Sequence, residues 1–198
     1  MLFNSFAFLV FFCVVFPLYL FSNHRWQNRI LVLASLAFYA SWSWQFIFLM
    51  GLSITMDFFC ALGIAGTEDP RKRKGLLLVS LVVNLGILAL FKYFNFFVGN
   101  FEALLRAMGL LSPSVHWSVN VILPLGISFY TFQTMAYVLD VYRREIRPVE
   151  RYWDYVLFIT YFPQLIAGPI MRARDYLPQI ITPRVWDWHR FYEGCHLF

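Results

Sequence analysis

The chain has 198 residues, of which 60% are hydrophobic, 21% are aromatic and only 14% are charged. A soluble domain carries about 25% charged residues, so this composition excludes an ordinary soluble protein and indicates a membrane protein. The net charge of +5 does not indicate nucleic-acid binding, because the basic residues lie in short segments between apolar runs, as the positive-inside rule describes. The three cysteines show no metal-binding or disulfide spacing, so we expect no metal site.

Apolar runs predict the first membrane spans, since about 20 helical residues cross a hydrocarbon core of roughly 30 Å. Residues 2–21 lack the basic start and cleavage site of a signal peptide and are interpreted as a retained span. Residues 30–65 are long enough for two short spans, with a turn at the Trp-rich residues 41–45. A fourth span is predicted from residue 75 to about residue 98.

The second half of the chain is less regular. Residues 99–118 are less apolar and predict a short amphipathic helix over 101–108 in the membrane interface. A fifth span is predicted over 119–141. Residues 152–170 are apolar but contain Pro163 and the pair Gly168-Pro169, which interrupt a helix.

The basic segments predict the orientation. Residues 22–29, 66–74 and 142–151 are basic and are separated by two spans each, so all three are expected in the cytoplasm. The residues after 170 are also Arg-rich, although a single apolar run precedes them, so we interpret 152–170 as a re-entrant or in-plane segment. The expected fold is an all-α polytopic membrane protein, with about five spans plus re-entrant helices in one domain.

Two acidic residues lie in or beside apolar runs. Asp57 is within the third run, where an ionisable group is costly. It is either a structural partner for an arginine or a backbone amide, or part of a functional site. Asp140 is expected to form a local salt-bridge cluster with Arg143 and Arg144.

The fifth span carries a polar stripe. Its residues are Ser128, Tyr130, Gln133, Thr134 and Tyr137, and the last four follow three- and four-residue steps along one helix face. One interpretation is hydrogen bonding between helices, and the other is a polar track that lines a substrate tunnel.

Arg172 and Arg174 follow the Gly-Pro break. They suit either phosphate recognition at a cavity mouth or membrane orientation with contacts to anionic lipid. The four histidines show no partner carboxylate at an obvious spacing, and no catalytic residue is predicted.

Two motifs carry a resemblance to a known family. They are PLGISFYTFQ at 124–133, which continues as MAYVLDVYR at 135–143, and YFPQLIAGPI at 161–170 with Arg172. These stretches resemble the membrane-bound O-acyltransferase family, in particular the bacterial branch that O-acetylates exported polysaccharide. The likeness runs along the whole chain.

The resemblance implies a ring of helices with a cytoplasmic and an extracellular funnel, of which this chain would be the N-terminal and incomplete part. The family's catalytic histidine lies in a Trp-His-Gly-type context beyond the region covered here. Trp188-His189 is followed by Arg190, so that role is not assigned to His189. Catalytic residues are therefore expected outside this chain.

The resemblance also implies a reaction. A cytoplasmic donor such as acetyl-CoA would deliver an acetyl group across the bacterial inner membrane, and an extracytoplasmic acetyltransferase partner would place it on a polysaccharide such as alginate. The positions of the basic segments predict an extracytoplasmic N-terminus. The resemblance implies that Ser128, Tyr130, Gln133, Tyr137 and Arg172 line or position the tunnel. The alternatives are D-alanyl transfer, peptidoglycan acetylation, or a non-catalytic membrane scaffold.

Overall fold

Long apolar segments bounded by capping residues produce a helical structure. The computed structural model describes residues 5–110, 123–168, 171–184 and 187–196. The described helices are α1 Phe6–Leu20, α2 His24–Ser43, α3 Gln45–Ala65, α4 Pro70–Leu88, α5 Phe94–Ala107, α6 Ile127–Tyr142, α7 Tyr152–Thr160, α8 Phe162–Ala167, α9 Ala173–Ile181 and α10 Trp188–His196. A π-helical turn, Ala89–Tyr93, joins α4 to α5 without a break. The all-α prediction is confirmed for these residues.

Two of the described helices are long and apolar enough to cross a membrane. They are α3, with 21 residues, and the continuous helix Pro70–Ala107, with 38 residues. The second extends for roughly 57 Å at 1.5 Å per residue, well beyond a hydrocarbon core of about 30 Å. The 15-residue α1 is also apolar, and none of its side chains is buried, as expected for a helix that faces lipid. Together they indicate a membrane protein.

Several element boundaries differ from the sequence prediction. The break near residues 41–45 is confirmed, because α2 ends at Ser43 and α3 begins at Gln45. Helix α1 continues past Pro17 to Leu20. The basic residues 71–74 form the first turn of α4, since the side chain of Asp69 accepts a hydrogen bond from the Arg71 amide at 2.9 Å.

The predicted amphipathic helix over 101–108 is wrong as a separate element, because α5 continues from α4 through the π-helical turn. The helix of the fifth span begins at Ile127 and not at residue 119. Gly126 precedes it with a φ of 70°, in the left-handed region that interrupts a helix. Residues 119–122 lie outside the described residues.

The core lies where α3, α4 and α6 pack together, and α2 packs on α7 beside it. Arg73 ties the ends of these helices together. Its guanidinium donates to the Ile64 carbonyl of α3 at 2.8 Å and to the Tyr142 carbonyl of α6 at 2.6 Å. Since the last carbonyls of a helix have no partner within it, Arg73 caps two helices at once.

Replacing Arg73 with alanine should lower the stability by about 2–4 kcal/mol, because two charge-assisted hydrogen bonds are lost. The thermal unfolding midpoint of the purified protein in detergent measures this. Lys74→Ala, which removes an exposed charge from the same helical turn, is the matched control. Equal midpoints for the two variants would contradict the capping role.

The two ends of the segment from α7 to α9 contact the same residue of α2. The Asn28 side chain on α2 donates to Asp154 Oδ1 at 2.8 Å, at the start of α7, and to the Ile180 carbonyl at 3.0 Å, near the end of α9. The helix is broken at Tyr161, with Pro163 in the first turn of α8, and α8 ends at Ala167, followed by Gly168 as its C-cap. The predicted interruptions at Pro163 and Gly168 are present, and Pro169 lies outside the described residues.

Candidate functional site

Asp57 is the centre of a buried polar cluster between α3 and α4. Its carboxylate is fully buried and accepts hydrogen bonds from Ser80 Oγ at 2.6 Å and from Asn84 Nδ2 at 2.7 Å. Ser53 donates to Asn84 Oδ1 at 2.7 Å, and Thr134 of α6 faces the same carboxylate. The partners of Asp57 are therefore polar side chains, not the arginine or backbone amide that the sequence suggested.

The polar stripe of α6 faces the protein interior. Tyr130, Gln133, Thr134 and Tyr137 are each 0–1% exposed. Gln133 Nε2 donates to the Phe158 carbonyl of α7 at 2.9 Å, and the Tyr137 hydroxyl accepts from the Val149 amide at 2.9 Å. The stripe makes contacts between helices, and whether it also lines a tunnel stays a prediction.

Two polar atoms of this stripe have no hydrogen-bond partner among the described residues. They are Tyr130 Oη and Gln133 Oε1, both fully buried. An unsatisfied buried polar group costs about 1–3 kcal/mol, so such groups often serve a function. These two atoms are therefore available to a substrate or to another part of the protein.

The two sequence motifs meet in space. Helix α6 runs antiparallel to α7 and α8, since Tyr137 stacks near Tyr155 with ring centroids 4.7 Å apart, while Gly126 packs against Leu165 at the other end. A Cβ atom on Gly126 would lie 3.2 Å from the Leu165 carbonyl oxygen. The first motif therefore needs glycine so that the second can pack against it.

The end of the second motif also needs glycine. A Cβ atom on Gly168 would lie 2.7 Å from Gln164 Cα and 2.9 Å from its carbonyl oxygen, which is closer than packed atoms approach. Gly168 therefore allows the chain to turn tightly out of α8. This role is structural.

Ser128 lies at the first turn of α6, where Lys92 reaches it from the π-helical turn. Lys92 Nζ donates to Ser128 Oγ at 3.3 Å. Among the described residues, no side chain caps the N-terminus of α6, so the lysine and the helix dipole give this spot a positive potential. The sequence indicated Ser128 but not its lysine partner.

Arg172 and Asp140 lie near each other at the opposite end of α6. Arg172 is exposed and precedes α9, and its charge and those of Arg174 and Arg143 act on Asp140. The predicted salt-bridge cluster of Asp140 with Arg143 and Arg144 is wrong as a set of direct ion pairs. Arg143 lies 4.0 Å from Glu145, and Arg144 pairs with Glu68, because the chain turns away after α6.

The histidines give no candidate catalytic group in the described chain. His24 contacts the Ile181 carbonyl at 3.0 Å. His189 lies 3.3 Å from Glu193 one turn further on, and its side chain is 80% exposed. The expectation that no histidine has a partner carboxylate is therefore wrong for His189. His116 lies outside the described residues.

Sequence reasoning missed a polar face on α2. Asn28, Ser35 and Tyr39 recur at seven and four residues, a helical spacing. Ser35 Oγ accepts from the Phe162 amide of α8 at 3.2 Å, and Tyr39 donates to the Leu125 carbonyl at 3.1 Å. This face therefore contacts the start of α8 through Ser35 and the residues just before α6 through Tyr39, and its spacing was the available signal.

These features define a class of protein: a membrane protein, all-helical in its described residues, in which a broken, glycine-dependent helical segment contacts two polar helix faces. Known proteins are similar to it in sequence. The chain is 36% identical over 201 aligned residues to the probable alginate O-acetylase AlgI of Pseudomonas aeruginosa, covering all of this chain and 38% of that protein. It is 37% identical to the Pseudomonas putida protein of the same name, covering 40% of it.

A relative with another name is also similar. The chain is 35% identical over 173 residues to the peptidoglycan O-acetyltransferase of Helicobacter pylori, covering 75% of this chain and 32% of that protein. The predicted resemblance to the N-terminal part of membrane-bound O-acyltransferases is confirmed by these relatives, which belong to that family. The chain spans about two fifths or less of their length. No family profile and no solved structure matches it.

Proposed function

We propose that this chain forms the N-terminal scaffold of a membrane-embedded O-acyltransferase that passes an acetyl group across the membrane for O-acetylation of an exported polysaccharide such as alginate. The similarity to the alginate O-acetylases along the whole chain carries the proposal. The donor is acetyl-CoA on the cytoplasmic side. An extracytoplasmic acetyltransferase partner receives the acetyl group.

The proposed topology has about five spans in the bacterial inner membrane, with the N-terminus extracytoplasmic. The return of the chain to Asn28 at both ends of α7–α9 supports a re-entrant segment, because its two ends then lie on one side of the membrane. That arrangement puts the arginines before and after this segment in the cytoplasm.

In this arrangement the chain shapes the path of the acetyl group and does not make or break bonds. Tyr130 and Gln133 position the substrate through their unpartnered atoms. Ser128 and Tyr137 lie on the same helix, and Arg172 stands at the cytoplasmic mouth, where a cation attracts an anionic donor. Residues 1–198 belong to one transmembrane domain.

The test is acetyl transfer in cells that carry a Tyr130→Phe variant in the chromosomal gene. The Tyr130 hydroxyl has no hydrogen-bond partner among the described residues, so its loss should not lower stability. If the hydroxyl aligns the substrate, the acetyl ester on the exported polysaccharide should fall about tenfold, which corresponds to the loss of one hydrogen bond. Tyr155→Phe, which removes another unpartnered buried hydroxyl, is the control. Unchanged acetylation in Tyr130→Phe would show that the Tyr130 hydroxyl does not position the substrate.

Peptidoglycan is the second candidate acceptor, favoured by the similarity to the Helicobacter pylori protein. Deleting the gene distinguishes the two. Loss of acetyl ester from the exported polysaccharide alone supports the first acceptor, and loss from peptidoglycan alone supports the second. A deletion that changes neither polymer would contradict O-acetylation and favour a non-catalytic role.

A further inference from the structure

A basic pocket lies where α2 and α7 begin. We use this name for the surface formed by His24, Arg25 and Arg29 of α2 and by Arg151, which precedes α7. These four side chains line two adjoining cavities, of about 370 and 650 Å³. Each cavity is large enough for a phosphoryl group.

The positive charge of the basic pocket is not neutralised by the described residues around it. None of Arg25, Arg29 and Arg151 forms an ion pair with them. Asp154 also lines the smaller cavity, but it is buried and Asn28 donates to its Oδ1 at 2.8 Å. Three arginines against one occupied carboxylate leave a net positive site, which suits a multiply charged anion.

The helix ends add to this potential. The N-termini of α2 and α7 both open at the pocket, and neither Asn23 nor Arg151 caps its helix with a side chain. The first amides of a helix lack partners within it, and the helix dipole makes this end positive. His24 Nδ1, which is buried without a partner among the described residues, also lies on this lining.

The surroundings of the pocket are those of a membrane interface. Trp26 and Trp153 flank it and are 57% and 48% exposed, and tryptophan is enriched where hydrocarbon meets headgroups. The Arg29 guanidinium stacks over the Trp26 ring at 4.9 Å, so the charge is held at the level of that ring.

An apolar groove begins on the other side of Arg184. It has a volume of about 940 Å³ and is lined mainly by aromatic side chains of α1 together with residues of α8, α9 and α10. Arg184 lines this groove and donates to Asn28 Oδ1 at 2.9 Å. Asn28 in turn lines the smaller cavity of the basic pocket. One side-chain contact therefore separates the apolar groove from the basic pocket.

We propose that the basic pocket binds the phosphoryl group of an anionic phospholipid, whose acyl chain lies in the apolar groove. The neighbouring groove and the flanking tryptophans favour a lipid over a soluble phosphate ester, because neither feature would contribute to the binding of a soluble ligand. The bound lipid fixes α1, which has no buried side chains of its own, against α9 and α10.

The test compares two triple variants of the protein purified from its own membranes. One is Arg25→Gln/Arg29→Gln/Arg151→Gln in the basic pocket. The matched control is Arg71→Gln/Lys72→Gln/Lys74→Gln, which removes the same charge from exposed positions of α4. Native mass spectrometry measures the phosphatidylglycerol bound after delipidation and titration, with phosphatidylcholine as the uncharged comparison.

We expect the wild type and the α4 variant to retain phosphatidylglycerol, and the pocket variant to bind it at least tenfold more weakly. Equal loss in both triple variants would show a general charge effect and overturn the site. Equal binding of phosphatidylcholine to the wild type would do the same. Displacement of phosphatidylglycerol by acetyl-CoA, in the wild type but not in the pocket variant, would show that the pocket binds a soluble phosphate ester and would contradict lipid binding.

Discussion

Replacing Asp57 with leucine is expected to lower the stability of the protein by about 2–6 kcal/mol, because two buried donors each lose an acceptor at about 1–3 kcal/mol. The donors are the Ser80 hydroxyl and the Asn84 amide, both of α4. Since α3 and α4 are held together here, the loss should appear as a lower thermal midpoint and as less folded protein in the membrane. Fluorescence-detected size exclusion after heating measures both.

Two variants separate this effect from a general loss of charge. Asp57→Asn keeps one carbonyl oxygen as an acceptor and should lose less stability than Asp57→Leu. Glu150→Ala removes an exposed carboxylate and should leave the stability within about 0.5 kcal/mol of the wild type. If Asp57→Leu is as stable as the wild type while acetylation is lost, Asp57 belongs to the functional site and its packing role is wrong.

The second large effect is expected at Gly126. An alanine there must adopt a φ of 70°, which costs roughly 1–2 kcal/mol for a residue with a Cβ atom. The new methyl group would also lie 3.2 Å from the Leu165 carbonyl oxygen and would push α8 away from α6. Gly126→Ala should therefore lower both the thermal midpoint and the acetyl transfer, because it separates the two motifs.

Gly51→Ala is the control for this variant. Gly51 lies inside α3, and nothing lies within 4 Å of the position of its Cβ atom, so alanine should raise stability by up to about 1 kcal/mol. A Gly126→Ala variant that matches Gly51→Ala in midpoint and in acetyl transfer would show that the contact between the motifs is dispensable.

The periodicity of the sequence predicted much of the fold. The break between α2 and α3 was visible because Trp42 and Trp44 interrupt a run that is too long for one span. The interruptions at Pro163 and Gly168 were visible because neither residue type continues a helix easily. Each of these signals is local, so it can be interpreted without knowing the packing.

The features that the sequence did not reveal depend on distant partners. The contacts of Asn28 gave no signal in the sequence, because its partners Asp154 and Ile180 are 126 and 152 residues away. Arg143 and Arg144 appeared to be natural partners for Asp140, but the turn after α6 directs them to glutamates. The polar stripe of α6 was recognised, whereas its partners on α7 could not be.

The π-helical turn at Ala89–Tyr93 has a consequence for how this part of the gene can change. A π turn holds one residue more than an α-helical turn, so deleting one residue there restores a regular α-helical turn and leaves the remainder of the helix facing nearly the same direction. A deletion elsewhere in the same helix rotates the remainder by roughly 100°. After a deletion within the π turn, helix α5 would present the same side, and the nearly buried Glu102 would keep its surroundings. The π turn is therefore the place in this helix where the gene best tolerates the loss of one codon.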